Sequence, residues 1–164
     1  MRDAADHDHV RQLGVRLVLA DLRSRGFEPV IEEGRSPVIV VRRVGGRVGT
    51  VHVKSAKRGS WQFTITRFCE IRFEGERQVV GPFRPLPSEA GICALVELDS
   101  DANRIFVLRW KELRDIVVED YRSYLARFGG RRPRKWDSLH CAIGPGHLPP
   151  GSEGAWSAAF TPIG

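Results

Sequence analysis

Val51-His52-Val53-Lys54, followed after a basic turn by Trp61-Gln62-Phe63, decides how this chain is read. Alternation with a period of two puts Val51 and Val53 on one face of a strand, so His52 and Lys54 project together from the other. Trp61 and Phe63 share a face in the same way, and two aromatic rings at that spacing are read as core. Working back from Lys54, Gly45-Gly46 has the chemistry of a hairpin turn. It joins a strand at Val38-Ile39-Val40-Val41 to one at Val48 to Ser55.

Outward from this hairpin the elements follow in order. Val10, Leu13, Leu17, Ala20 and Leu22 recur at helical spacing up to Gly26, which predicts a first helix. Phe27 to Ile31 reads as an edge strand, because Pro29 has no N–H to give a central ladder. Trp61 to Ile65 is expected to be a fourth strand. Beyond it, Gly75, Gly81, Pro82, Pro85 and Pro87 break the chain into a long loop. Ile92 to Leu98 is a continuous apolar strand, and Ile105 to Leu108 is its hairpin partner. The apolar stripe from Trp110 to Phe128 makes a helix that Gly129-Gly130 stops.

The fold class expected is α+β, or mixed α/β, in one unit. Residues 1–9 are read as a flexible tail, 10–143 as the domain and 144–164 as a Pro/Gly-rich C-terminal extension.

The chain has 164 residues, long enough to bury one core, and a net charge of +6, which favours a polyanionic partner. Its three cysteines, Cys69, Cys93 and Cys141, are widely spaced and include no CxxC pair. That excludes a disulfide framework or a zinc knuckle and points to buried thiols in a reducing compartment. The polar start of the chain lacks the apolar stretch of a signal peptide, and the run Ile92 to Val96 is too short for a bilayer. A cytoplasmic protein with no membrane partner is expected. No phosphate-binding glycine loop or Gly-x-Ser-x-Gly elbow occurs. Asp6-His7-Asp8-His9 and the His140, Cys141, His147 set have metal-binding residue types without ligand spacing.

The order Leu22 to Gly26, Ser36-Pro37-Val38-Ile39, Val51-His52-Val53-Lys54 and Trp61-Gln62-Phe63 resembles the PD-(D/E)XK, or restriction-endonuclease-like, nuclease superfamily. The likeness is to its small bacterial members and covers about residues 10 to 143. It implies a central mixed sheet flanked by helices. It also implies phosphodiester chemistry in which carboxylate-held Mg²⁺ activates water and a lysine steadies the charged phosphate. Mg²⁺ demands hard oxygen ligands. Here Val38 occupies the place of the strand aspartate, His52 that of the acidic or glutamine residue before the lysine, and Val15 or Arg16 that of the helix glutamate. Lys54 alone matches.

The expectation that follows is a nuclease-fold protein that lacks standard Mg²⁺-dependent catalysis and binds DNA or RNA. Lys54, Lys57, Arg58, Arg131, Arg132, Arg134 and Lys135 would form its basic surface. Lys54 with His52 is the candidate catalytic pair if chemistry survives. In that case Glu33 and Glu70, with Glu32 a further displaced carboxylate, would hold Mg²⁺ or Mn²⁺; otherwise no cofactor is expected. A protein-interaction module, including a homodimer, is the third reading. Each residue also has a plain alternative: a solvated strand-end lysine, a strand histidine without special duty, surface glutamates, and arginines that cap a helix.

Overall fold

The computed structural model describes residues 4–32, 38–86, 91–99 and 101–161. Glu33, Ser36, Pro37 and Pro87 therefore lie outside the described residues. Helix α1 spans Ala4–Ser24 and leads into strands β1 (Glu28–Glu32), β2 (Val38–Arg43) and β3 (Gly46–Lys57). Short strand β4 (Trp61–Thr64), a 3-10 turn at Ile65–Arg67, and β5 (Cys69–Glu74) with β6 (Arg77–Phe83) follow. Strands β7 (Ile92–Leu98) and β8 (Arg104–Arg109) lead into helix α2 (Trp110–Arg127). Strand β9 (His140–Ile143), a 3-10 turn at Pro145–His147 and α3 (Trp156–Phe160) complete the described elements.

The protein is mixed α+β. Its five-stranded sheet has the order β1-β2-β3-β7-β8, and β4-β9 and β5-β6 form two separate two-stranded sheets. All the pairings are antiparallel except that of β3 with β7, in which Lys54 lies opposite Leu95. Every residue of β7 is buried, as expected of a strand covered on both faces. Among the described residues no helix is long and apolar enough to cross a membrane.

Alternation along these strands sorts the core into two layers. Val51, Ile92, Ala94 and Val96 face α1 and pack with Val18, Leu22 and Phe27. Cys93, Leu95, Phe106 and Leu108 face α2 and pack with Trp61, Phe63, Phe68, Trp110 and Leu113. The expected aromatic core pair, Trp61 and Phe63, is therefore buried, and the Trp61 indole N–H donates to the Val96 carbonyl at 3.0 Å.

Four expectations need correction. Helix α1 begins at Ala4, so residues 4–9 are helical and not a tail; Asp6 ties this turn to Lys57 at 2.8 Å. The Trp61 strand ends at Thr64 and pairs with β9, not with the main sheet. The stretch read as a loop is the β5-β6 hairpin. Its glycines sit where the strand geometry wants them: Gly75 (φ +62) in the turn and Gly81 against the Glu70 backbone beside a register shift. Pro82 costs no central bond, because both strands of a two-stranded sheet are edges.

The C-terminal extension is also part of the core. Trp156 is fully buried, and its indole N–H donates to Asp21 at 2.7 Å. The Arg109 guanidinium holds the Ala158, Ala159 and Thr161 carbonyls, and the Phe106 to Glu153 bridge covers the outer edge of β8.

Helix α1 crosses β3 closely at Gly14. A Cβ there would stand 1.7 Å from the Ser55 Oγ, which is itself buried with no hydrogen-bond partner. Gly14→Ala should therefore destabilise the fold by about 1–3 kcal/mol despite alanine's better helix propensity. Ser55→Ala should be neutral or stabilising and should reduce that cost. Denaturant unfolding of the two single variants and the double variant measures both effects.

Candidate phosphate-binding site

The site is built on β3. Because Val51 faces α1, the alternation that holds through the strand turns His52 and Lys54 toward α2 and the small sheets. Both side chains are half-buried. The chain after β3 then returns over them: Phe63 of β4 lies under the Lys54 ammonium at 4.8 Å, and the 3-10 turn brings Arg67 alongside. Trp110, the first residue of α2, closes the end. Its ring meets that of His52 edge-on at 5.5 Å, and the Arg67 guanidinium stands 6.0 Å from its centre.

The Trp110 indole N–H donates to the His52 Nδ1 at 3.2 Å. An indole nitrogen can only donate, so the His52 Nδ1 must accept, which fixes the neutral tautomer with its proton on Nε2. Desolvation by burial, then the charge of Arg67, holds the His52 pKa below the ordinary histidine value. The same two causes lower the Lys54 pKa, and the thiols of Cys93 and Cys141 oppose that shift only where they ionise. Those thiols are in turn pushed up to about 12, mainly by burial, so they are neutral and inert near pH 7.

Among the described residues, no carboxylate pairs with this positive cluster: no ion pair engages Lys54 or Arg67. Register places Glu97 on the face of β7 that carries Cys93 and Leu95, but its Oε1 accepts from the Arg104 Nε and a terminal nitrogen at 3.0 and 2.7 Å. On the other side Ile39 pairs with Val51, so Val38 and Val40 share the face of His52. Glu70 is exposed on β5 and Glu32 ends the edge strand β1; neither is joined to Lys54 by an ion pair. Glu33 lies outside the described residues. Among those described, no group of three or more His, Cys, Asp or Glu is placed to hold a metal ion.

The other cations expected to form a basic surface divide into three kinds. Lys57 is paired with Asp6, and Arg131 with Glu76 at 2.6 Å. Arg132 is a staple: it donates to the His140 and Ser138 carbonyls at 2.6 and 3.0 Å, and its guanidinium rests on the Tyr121 and Tyr124 rings. Arg58, in a left-handed turn conformation (φ 55), together with Arg134 and Lys135, is exposed and has no ion-pair partner among the described residues.

Arg67 is the residue that sequence reasoning missed. It lies outside the strand pattern, and only the turn after β4 carries it back over β3. Comparison with protein-family models, with curated proteins and with solved structures finds no match to this chain.

A histidine whose folded-state pKa is depressed takes up its proton more readily when unfolded. The neutral, hydrogen-bonded form of His52 thus contributes stability above about pH 6.5 that is lost as pH falls below it. His52→Gln keeps an acceptor for Trp110 but does not titrate. Unfolding measured at about pH 7.5 and about pH 5.5 should show a larger loss on acidification for the native chain than for His52→Gln. Equal losses would remove His52 from the account.

Proposed function

We propose that this protein binds nucleic acid, with Lys54 and Arg67 meeting a backbone phosphate, and that it lacks standard Mg²⁺-dependent cleavage. The observation that carries this reading is a half-buried lysine and a neighbouring arginine that converge without a carboxylate among the described residues. Partial burial of a cation costs free energy unless it is paired, so a fold that keeps such a cluster is preorganised for an anion supplied from outside. A phosphate oxygen would accept from the ammonium, from the guanidinium and from the Nε2–H of His52. The net charge of +6 and the exposed Arg58, Arg134 and Lys135 suit a polymer of phosphates better than a single small anion.

The resemblance to the PD-(D/E)XK nucleases supports the same reading, since it assigns the phosphate-facing lysine to Lys54. Val38 in place of the strand aspartate, with Val40 on the same face, supports the absence of standard catalysis. Arg67 supplies part of the positive charge that a metal supplies in those enzymes. That compensation favours binding; it provides no activated water.

Two consequences follow for Lys54→Met. Binding of DNA or RNA, followed by fluorescence anisotropy, should weaken about tenfold or more, and its dependence on salt should become shallower by about one phosphate contact. Stability should hold or rise, because an unpaired half-buried charge is removed. Incubation of the native chain with DNA and RNA in Mg²⁺ and in Mn²⁺ should leave both intact. No retention of either polymer at low salt would refute the binding reading, and cleavage that vanishes in Lys54→Met would restore an active nuclease.

A further inference from the structure

A second feature lies away from Lys54, where the loop after α2 meets the β5-β6 hairpin. Trp61, Trp110 and Trp156 are 1, 4 and 0% exposed, whereas Trp136 is 36% exposed. Its ring meets that of Phe73, 41% exposed on β5, edge-on at 5.9 Å. The two cations just before it, Arg134 and Lys135, are exposed and unpaired among the described residues. Asp137 follows and is the nearest acid in sequence; Arg72 and Arg131 on the flanks are paired with Glu74 and Glu76.

The loop is held rather than loose. Buried Gln78 donates from its Nε2 to the Trp136 and Ser138 carbonyls at 2.7 and 2.8 Å, while its Oε1 accepts from the Tyr121 hydroxyl. The Gln78 N–H donates to the Gly130 carbonyl, and the Arg77 Nε to that of Gly129, both at 2.9 Å. The backbone of Trp136 is thus fixed by a buried network that leaves its indole at the surface. Two other exposed phenylalanines differ in one respect. Phe83 and Phe128 have guanidinium groups of this chain near their rings, from Arg114 at 4.2 Å and Arg127 at 5.5 Å. Among the described residues no cation of the chain occupies Trp136 or Phe73.

We propose that Trp136 and Phe73, with Arg134 and Lys135, form a stacking platform for unpaired nucleobases, which makes the chain prefer single-stranded nucleic acid over duplex. A fixed aromatic surface beside unpaired cations matches a strand that offers a base face and a phosphate together. In a duplex the base faces are already stacked on one another and unavailable. The inference rests on the nucleic-acid reading above but uses different residues from the Lys54 cluster.

Trp136 also supplies a probe: the other three tryptophans are buried, Trp110 beside the Lys54 cluster among them, so the part of the emission change that disappears in Trp136→Ala reports on the platform. Tryptophan emission is followed while a single strand of about 15 nucleotides, or the matching duplex, is added to the native chain and to Trp136→Ala and Trp136→Phe; anisotropy gives the affinities. The expected result is saturable quenching by the single strand and tighter binding of it than of duplex. Affinity should fall at least about fivefold in Trp136→Ala, with partial recovery in Trp136→Phe. Equal affinity for both forms, unchanged by Trp136→Ala, would overturn the platform and leave binding through Lys54 standing. Absence of binding to either form would overturn the nucleic-acid reading and the platform with it. A concentration-dependent change in Trp136 emission without nucleic acid would assign the pair to a contact between two copies, and would equally overturn the proposal.

Discussion

The parallel pairing of β3 with β7 is the constraint on which the rest of the protein depends. Antiparallel neighbours can be joined by a tight turn, but parallel ones need a connection that leaves the sheet, crosses a face and returns. Here that connection includes β4, the Ile65–Arg67 turn and the β5-β6 hairpin, and it crosses the face on which His52 and Lys54 stand. Phe63 comes to lie beneath the Lys54 ammonium and Arg67 beside Trp110 as a direct result. Trp110 arrives by the same route one step later, because β8 runs back along β7 and starts α2 beside His52. The site follows from closing the sheet.

Its electrostatics follow from the same crossing. A solvated strand-end lysine would sit near its ordinary pKa, whereas Lys54 is covered, faces Arg67 and has no carboxylate to balance it among the described residues. His52 is held neutral by burial and by the indole N–H that occupies its Nδ1. The acid that register places on the neighbouring strand, Glu97, already accepts from Arg104. Such a cluster opposes folding, and under the proposed reading an incoming anion would relieve it.

Much of the scaffold was legible from residue order. Pro29 marked the edge strand, Gly45-Gly46 the hairpin, Ile92 to Leu98 the doubly buried strand, and alternation assigned His52 and Lys54 to one face. Elements whose stability comes from tertiary contact were not legible. Strand β9 is four residues long and exists as the partner of β4, and the β5-β6 hairpin hides behind glycines and a proline that serve a turn, a bulge and an edge. Arg67 is invisible for the same reason, since its position is set by a turn and not by a periodicity. The basic run illustrates the opposite error: four cations within five adjacent residues, read as one basic patch, separate into a paired Arg131, a stapling Arg132 and Arg134 and Lys135, unpaired among the described residues.

The central claim is that an external phosphate occupies the place beside Lys54, Arg67 and His52. The indole N–H of Trp110, donated to His52, is a reporter inside that site, and its resonance in a nitrogen–proton correlation spectrum can be followed as a short oligonucleotide is added. The account predicts a saturable shift of the Trp110 indole signal that tracks binding and disappears in Lys54→Met. A Trp110 signal that stays fixed while the oligonucleotide binds would contradict it.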